Sequence, residues 1–214
     1  DKPWISEVRI LDESENPKDV MADVVKSFKV GRRGVSLDDR AWMHTGLLLR
    51  ELLPRTPQSI ASDIVAPMRM IKDSEEVEAM QRAGQLADKV YGETLKFLKM
   101  GVTEHDVAHE VDYQFVKHGA EGTAFVTGVR FAKTGRPSEP PGGARTTVRK
   151  LEKGDSVTFD FGALLSGYCS DFGRTCFVGN PPAEFVKIHD KVMEAQSAAI
   201  KAMVSGRITA MELD

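Results

Sequence analysis

The chain has 214 residues, with 41% hydrophobic and 29% charged side chains, enough to bury a full core and outside the range of disordered chains and stapled miniproteins. Its 29 Lys and Arg against 32 Asp and Glu give a formal charge of -3, without the positive excess that phosphate backbones attract, so nucleic acid is not expected as a partner. No apolar run approaches the roughly 20 residues of a membrane span, and Asp1-Lys2-Pro3-Trp4 does not open a signal-peptide core, so neither membrane nor export is expected.

Up to about residue 64 short helical and strand patterns alternate. Asp19–Phe28 and Asp38–Leu53 read as helices, and Val30–Val35 and Ser59–Val65 as strands, which makes a small α/β unit. The run from Ala66 to Asp73 contains a proline and no periodicity. It ends on Asp73, an N-cap residue with Glu76 three positions later. A domain boundary is therefore expected at about residues 64–72, separating residues 1–65 from residues 66–214.

The next helix carries Val77, Met80, Gly84, Ala87, Tyr91, Thr94 and Leu98 on one stripe, and Gly84 with Ala87 implies close approach to a packed surface. Gly101 ends it. Thr103 and Asp106 open a second helix, which runs to about His118 before Gly119. Ala124–Lys133 reads as a strand, and Thr134–Thr147, with three prolines and three glycines, as a loop.

Ser156–Phe161 and Tyr168–Val178 read as strands joined by a short turn. Glu184–Val204 reads as a helix with Phe185, Ile188, Val192, Ala195, Ala199 and Met203 on one face. Thr209 to Glu212 is a capping-box pattern that announces a further helix just before Asp214, so the chain is expected to be part of a longer protein.

The strongest chemical signal is the pair Asp160 and Asp171. With Leu164–Gly167 as a four-residue loop, the hairpin register places Asp160 opposite Asp171 on one face. Like charges there repel, and aspartate is depleted in strands, so the pair needs compensation. Two readings remain open. Divalent cations bind between the carboxylates as a dinuclear site, or Arg174 neutralises Asp171 while Asp160 faces water at a sheet edge.

Other features are weaker. His105, His109 and Asp112 share a helix face at metal-ligand spacing, but in a charged segment where a solvated surface is the plainer reading. Cys169 and Cys176, seven apart in one expected strand, stand roughly 23 Å apart and cannot pair; as two reduced core thiols they suit a cytoplasmic compartment. The Gly/Pro loop precedes no helix and holds no Gly-Lys-Ser/Thr, so it is no phosphate cradle, although it could wall the aspartate site. No Gly-x-Ser-x-Gly occurs, so acyl-enzyme chemistry has no support.

The run LEKGDSVTFDFGALLSGYCSDFGRTCFVG resembles the metal-binding hairpin of the pita-bread-fold metallopeptidases, the group of methionine aminopeptidase, aminopeptidase P, prolidase and creatinase. MRMIKDSEEVEAMQRAG and GVTEHDV resemble the helical entry to that domain in the Xaa-Pro branch, where a smaller α/β domain precedes it. The resemblance implies an α/β (α+β) chain, namely a partial pita-bread fold after part of a small N-terminal domain. It implies two divalent metal ions (Mn, Co, Zn or Fe), with Asp160 as a terminal and Asp171 as a bridging ligand, and one His and two Glu from later strands to complete the site.

The activity implied is hydrolysis of N-terminal peptide bonds, of Xaa-Pro type, in a longer cytoplasmic parent, with a peptide as substrate and a homodimer open as the assembly; the 214 residues alone are expected to be inactive. One departure stands out. The family carries a His about eight residues before the Leu of Leu-x-x-Gly-Asp, here near Gly142 and Gly143, where it assists substrate binding or proton transfer, and this loop has none. A non-catalytic peptide-binding module and a creatinase-like amidinohydrolase are the alternatives.

Overall fold

The structure, a computed structural model, describes residues 8–28, 30, 34–133, 146–203 and 206–213. The chain divides into two compact units, Asp1–Lys72 and Asp73–Asp214.

In the first unit, helix α1 (Pro17–Ser27) starts where Asn16 accepts the Lys18 N–H, with Pro17 at the first helical position. Strand β1 (Val35–Leu37), helix α2 (Met43–Leu52) and strand β2 (Gln58–Ile60) follow, and the two strands pair in parallel, Val35 with Gln58 and Leu37 with Ile60. Helix α3 (Ser62–Met70) closes the unit.

Local chemistry explains the departures from the sequence pattern here. The helix expected from Asp38 begins only at Met43, because Asp38 makes a turn in which its carboxylate accepts the Arg40 N–H and its carbonyl the Ala41 N–H. The strand expected at Val30–Val35 lies at Val35–Leu37, with residues 31–33 outside the described residues. The strand expected to reach Val65 stops at Ile60. There Ser62 donates to Asp39 (2.7 Å) and α3 begins, taking up the stretch read as irregular; Pro67 costs that helix one bond, at the Asp63 carbonyl.

The second unit opens with helix α4 (Ser74–Phe97), whose capping box has the Glu76 N–H donating to Asp73 and the Asp73 N–H to Glu76. Helix α5 (Glu104–Lys117) repeats the device with Thr103 and Asp106. Strands β3 (Gly122–Thr123), β4 (Gly128–Lys133), β5 (Asp155–Phe161), β6 (Ala163–Leu165), β7 (Tyr168–Cys169) and β8 (Phe172–Phe177) follow, then helices α6 (Ala183–Ala202) and α7 (Ala210–Leu213).

Two antiparallel three-stranded ladders form, β4-β5-β8 and β3-β6-β7. Along β5 burial alternates strictly. Asp155, Val157, Phe159 and Phe161 point into the core, while Ser156, Thr158 and Asp160 point to the other, more open face. The core side meets Val90 of α4 and Val107, Val111 and Phe115 of α5, all fully buried.

The buried stripe of α4 differs from the one read in the sequence. Ala79, Ala83, Leu86, Ala87, Val90 and Thr94 are buried, whereas Val77 and Met80 are exposed. Small side chains let a helix approach its neighbours closely, so the alanines set the buried face rather than the bulkier residues beside them. Gly84 is not a contact point among the described residues, since a Cβ there would meet none of them within 4 Å. On α6 the expected apolar face is present, but among the described residues only Phe185 makes a ring contact, with Phe177 (5.0 Å), and Ile188, Val192 and Met203 are exposed.

Candidate metal centre

The hairpin that carries both aspartates is built on a two-residue turn. Ser166 (φ 52°) and Gly167 (φ 76°) both adopt the left-handed conformation that a tight hairpin of this kind requires. Leu165 therefore pairs with Tyr168 and Leu164 with Cys169. The four-residue loop expected from the sequence is two residues too long, because Ser at the first turn position does not signal a positive φ as Asn or Asp would.

The correction moves the register by two. Asp160 lies opposite Gly173, and Phe161 opposite Phe172, rather than Asp160 opposite Asp171. A shift of two preserves the face. Asp171 lies just before β8, outside the paired residues of the ladder, and both aspartates are exposed. The expected single strand Tyr168–Val178 is interrupted at Ser170 and Asp171, between β7 and β8.

Asp160 is on the central strand of its ladder, between Gly128 of β4 and Gly173 of β8. It is not at a sheet edge, and neither cross-strand partner carries a side chain. Beneath it, Phe161 and Phe172 stack at 4.9 Å and make the floor rigid.

Arg174 does not share that open face. It pairs across the ladder with Phe159, lies over the Phe172 ring at 4.1 Å, and reaches Asp88 of α4 at 3.8 Å. Neutralisation of Asp171 by Arg174 is thereby set aside. Two exposed carboxylates on one hairpin fit the hard oxygen donors that a divalent cation takes, as part of a coordination set. Among the described residues no group of three His, Cys, Asp or Glu could hold an ion by itself.

The other sequence candidates are placed elsewhere. Asp112 accepts the Thr127 hydroxyl at 2.5 Å, His105 Nε2 lies 3.3 Å from the Thr146 carbonyl, and the His105 and His109 rings are 6.2 Å apart on an exposed surface. Cys169 is exposed rather than in the core, and Cys176 is half-buried beside Tyr91; both are free thiols. Residues 134–145, where the family carries its loop histidine, lie outside the described residues.

Sequence reasoning missed a buried polar cluster at the other end of β5. Asp155, with no exposed surface, takes both guanidinium nitrogens of Arg149 (2.9 and 2.8 Å) and the Glu152 N–H (2.9 Å). Burial works to raise the Asp155 carboxyl, and Arg149 with the Glu152 N–H outweighs it, leaving the group below its ordinary range. Nearby, Glu104 is 1% exposed and accepts the Phe131 N–H, the Thr147 N–H and the Thr147 hydroxyl, each at 2.7 Å. The Leu-x-x-Gly-Asp signature contains Asp155, yet nothing in it names Arg149 as the partner.

Comparison with known proteins bears on this geometry. The profile of metallopeptidase family M24 matches residues 78–214. An uncharacterized peptidase of Bacillus subtilis is 33% identical over 198 residues, covering 90% of this chain and 53% of its own. The Xaa-Pro dipeptidase of Pyrococcus furiosus is 38% identical over 152 residues, covering 71% of this chain and 42% of its own. Among solved structures, the prolidase of Thermococcus sibiricus superposes with a TM-score of 0.82 at 30% identity, covering 92% of this chain and 53% of that one. The chain spans about half the length of these relatives, and the fold is the expected pita-bread fold in part.

Proposed function

The chain belongs to metallopeptidase family M24, a family of divalent-metal enzymes, and from that premise we propose that its full-length protein hydrolyses N-terminal Xaa-Pro peptide bonds with Asp160 and Asp171 as metal ligands. The observation that supports this reading is that both carboxylates are exposed on one hairpin. Asp160 stands between two glycines, and Asp171 follows where the ladder lapses.

Two ions, drawn from Mn, Co, Zn and Fe, suit such a carboxylate set once further ligands are supplied. When bound, they polarise a carbonyl and acidify a water. The chain's own residues hold and orient. Phe161 and Phe172 fix the strands beneath the carboxylates, and Gly128 and Gly173 put no side chain directly across from Asp160.

A cytoplasmic location and a homodimer belong to the same reading. So does the division of the chain into the end of a small N-terminal domain and the first half of a catalytic domain. The break between the compact units, after Lys72, supports that division.

The test is hydrolysis of Xaa-Pro dipeptides and longer peptides by the full-length protein, with and without added Mn²⁺ or Co²⁺. Metal-dependent release of the N-terminal residue is expected. Metal binding without hydrolysis of any peptide would turn the reading towards a peptide-binding module.

A further inference from the structure

The ladder fails at one place on the hairpin, and the failure has a specific cause. In a regular antiparallel pair Ala163 and Ser170 would exchange two main-chain hydrogen bonds. One of them is made, with the Ser170 N–H donating to the Ala163 carbonyl at 2.9 Å. The other is diverted, because the Ala163 N–H donates to the Ser170 side chain, at 3.0 Å to Oγ.

The displaced Ser170 carbonyl lies against Gly162. A Cβ at Gly162 would stand 2.0 Å from that oxygen and 3.0 Å from Phe125 Cε1, so only glycine fits. The Gly162 carbonyl in turn accepts the Ala124 N–H at 2.8 Å, which holds this strand from its other side. Regular pairing resumes at Phe161 and Phe172, leaving Asp171 in the gap.

We propose that Ser170 and Gly162 form a positioning pair for Asp171, the Ser170 hydroxyl replacing a main-chain acceptor so that the strand breaks where Asp171 must serve as a ligand. The proposal rests on the reading of Asp171 as a metal ligand. Ala163 is fully buried, so its N–H needs an acceptor in every variant. With the hydroxyl removed, the Ser170 carbonyl is the nearest substitute, and the ladder regularises through Asp171.

The experiment uses the full-length protein and the variants Ser170→Ala, Ser170→Thr and Asp171→Asn, with calorimetric titration of Mn²⁺ and thermal melts of the metal-free forms. Ser170→Ala is expected to melt within roughly 5 °C of the parent, because one hydrogen bond replaces another. Its Mn²⁺ affinity should fall by about tenfold or more, the usual scale for loss of a group that orients a ligand. Ser170→Thr keeps the hydroxyl and should bind within about threefold of the parent.

Parent-like Mn²⁺ affinity in Ser170→Ala, failure of that variant to fold, or failure of Ser170→Thr to restore binding would each overturn the proposal. Asp171→Asn separates the two levels. If it binds Mn²⁺ as the parent does, the ligand reading itself fails; if it alone loses binding, only the positioning role fails.

Discussion

Asp160 faces Gly173 across the β5–β8 ladder, so its cross-strand partner on β8 brings no side chain. Among the described residues, a Cβ at Gly173 would touch only the Phe159 carbonyl, at 3.9 Å. Glycine in a strand interior costs stability relative to a β-branched residue, and what this one provides is a position directly across from Asp160 with no side chain.

Gly173→Val should therefore separate stability from metal binding. The variant is expected to gain about 0.5–1 kcal/mol, because valine suits the extended backbone and no close contact opposes it. Its isopropyl group would crowd the Asp160 carboxylate, and Mn²⁺ affinity in the full-length protein should fall by about tenfold. Urea denaturation and calorimetric titration of the same preparation check both halves.

The corrected register also resets what Asp160→Asn and Asp171→Asn should do. For a regular ladder, residues offset by two lie about 7–8 Å apart. At that distance two exposed charges repel by only about 0.5 kcal/mol in water. Neither substitution should move the melting point of the metal-free protein appreciably, while both should abolish the metal-dependent hydrolysis proposed for the full-length protein. Marked destabilisation of either metal-free variant would make the aspartates structural.

What the sequence disclosed follows the range of the forces involved. The caps at Asp73 and Thr103 and the helices they open were legible, because a capping box is local chemistry within four residues. The open side of Asp160 was legible too, since a register error of two preserves the face of a strand residue. The register itself was not, because it depends on Ser166 accepting a positive φ. Nor was the Arg149–Asp155 pair, which depends on how the polypeptide returns from Thr147 to β5.

The two thiols should differ in reactivity. Cys169 is exposed, whereas burial pushes the Cys176 thiol up despite the hydrogen bond to Tyr91, which keeps less of it as thiolate. With a disulfide reagent at pH 8, one thiol per chain should react promptly and the second only on unfolding. Cys169→Ser should remove the fast phase. Two equal fast phases would contradict the packing of Cys176 against the core.

Asp155 should govern part of the acid limb of stability. Its carboxyl is held below the ordinary range in the folded protein, so the folded state binds its proton less readily than the unfolded chain does. The stability it contributes is present above the unfolded value of about 4 and is lost as pH falls through the folded value. Asp155→Asn removes that charge while keeping an acceptor for the Glu152 N–H. At pH 7 the variant should be less stable by about 2 kcal/mol, below the range for a fully buried ion pair because the Arg149 side chain keeps 34% of its surface exposed. The gap between parent and variant should hold from pH 7 to about pH 5 and narrow steadily below about pH 4, as the parent's own carboxylate is protonated. Urea midpoints measured across that range test the sign directly. A gap that stays constant down to pH 3, or widens, would show that Arg149 does not hold Asp155 ionised and that the cluster stabilises β5 by hydrogen bonding alone.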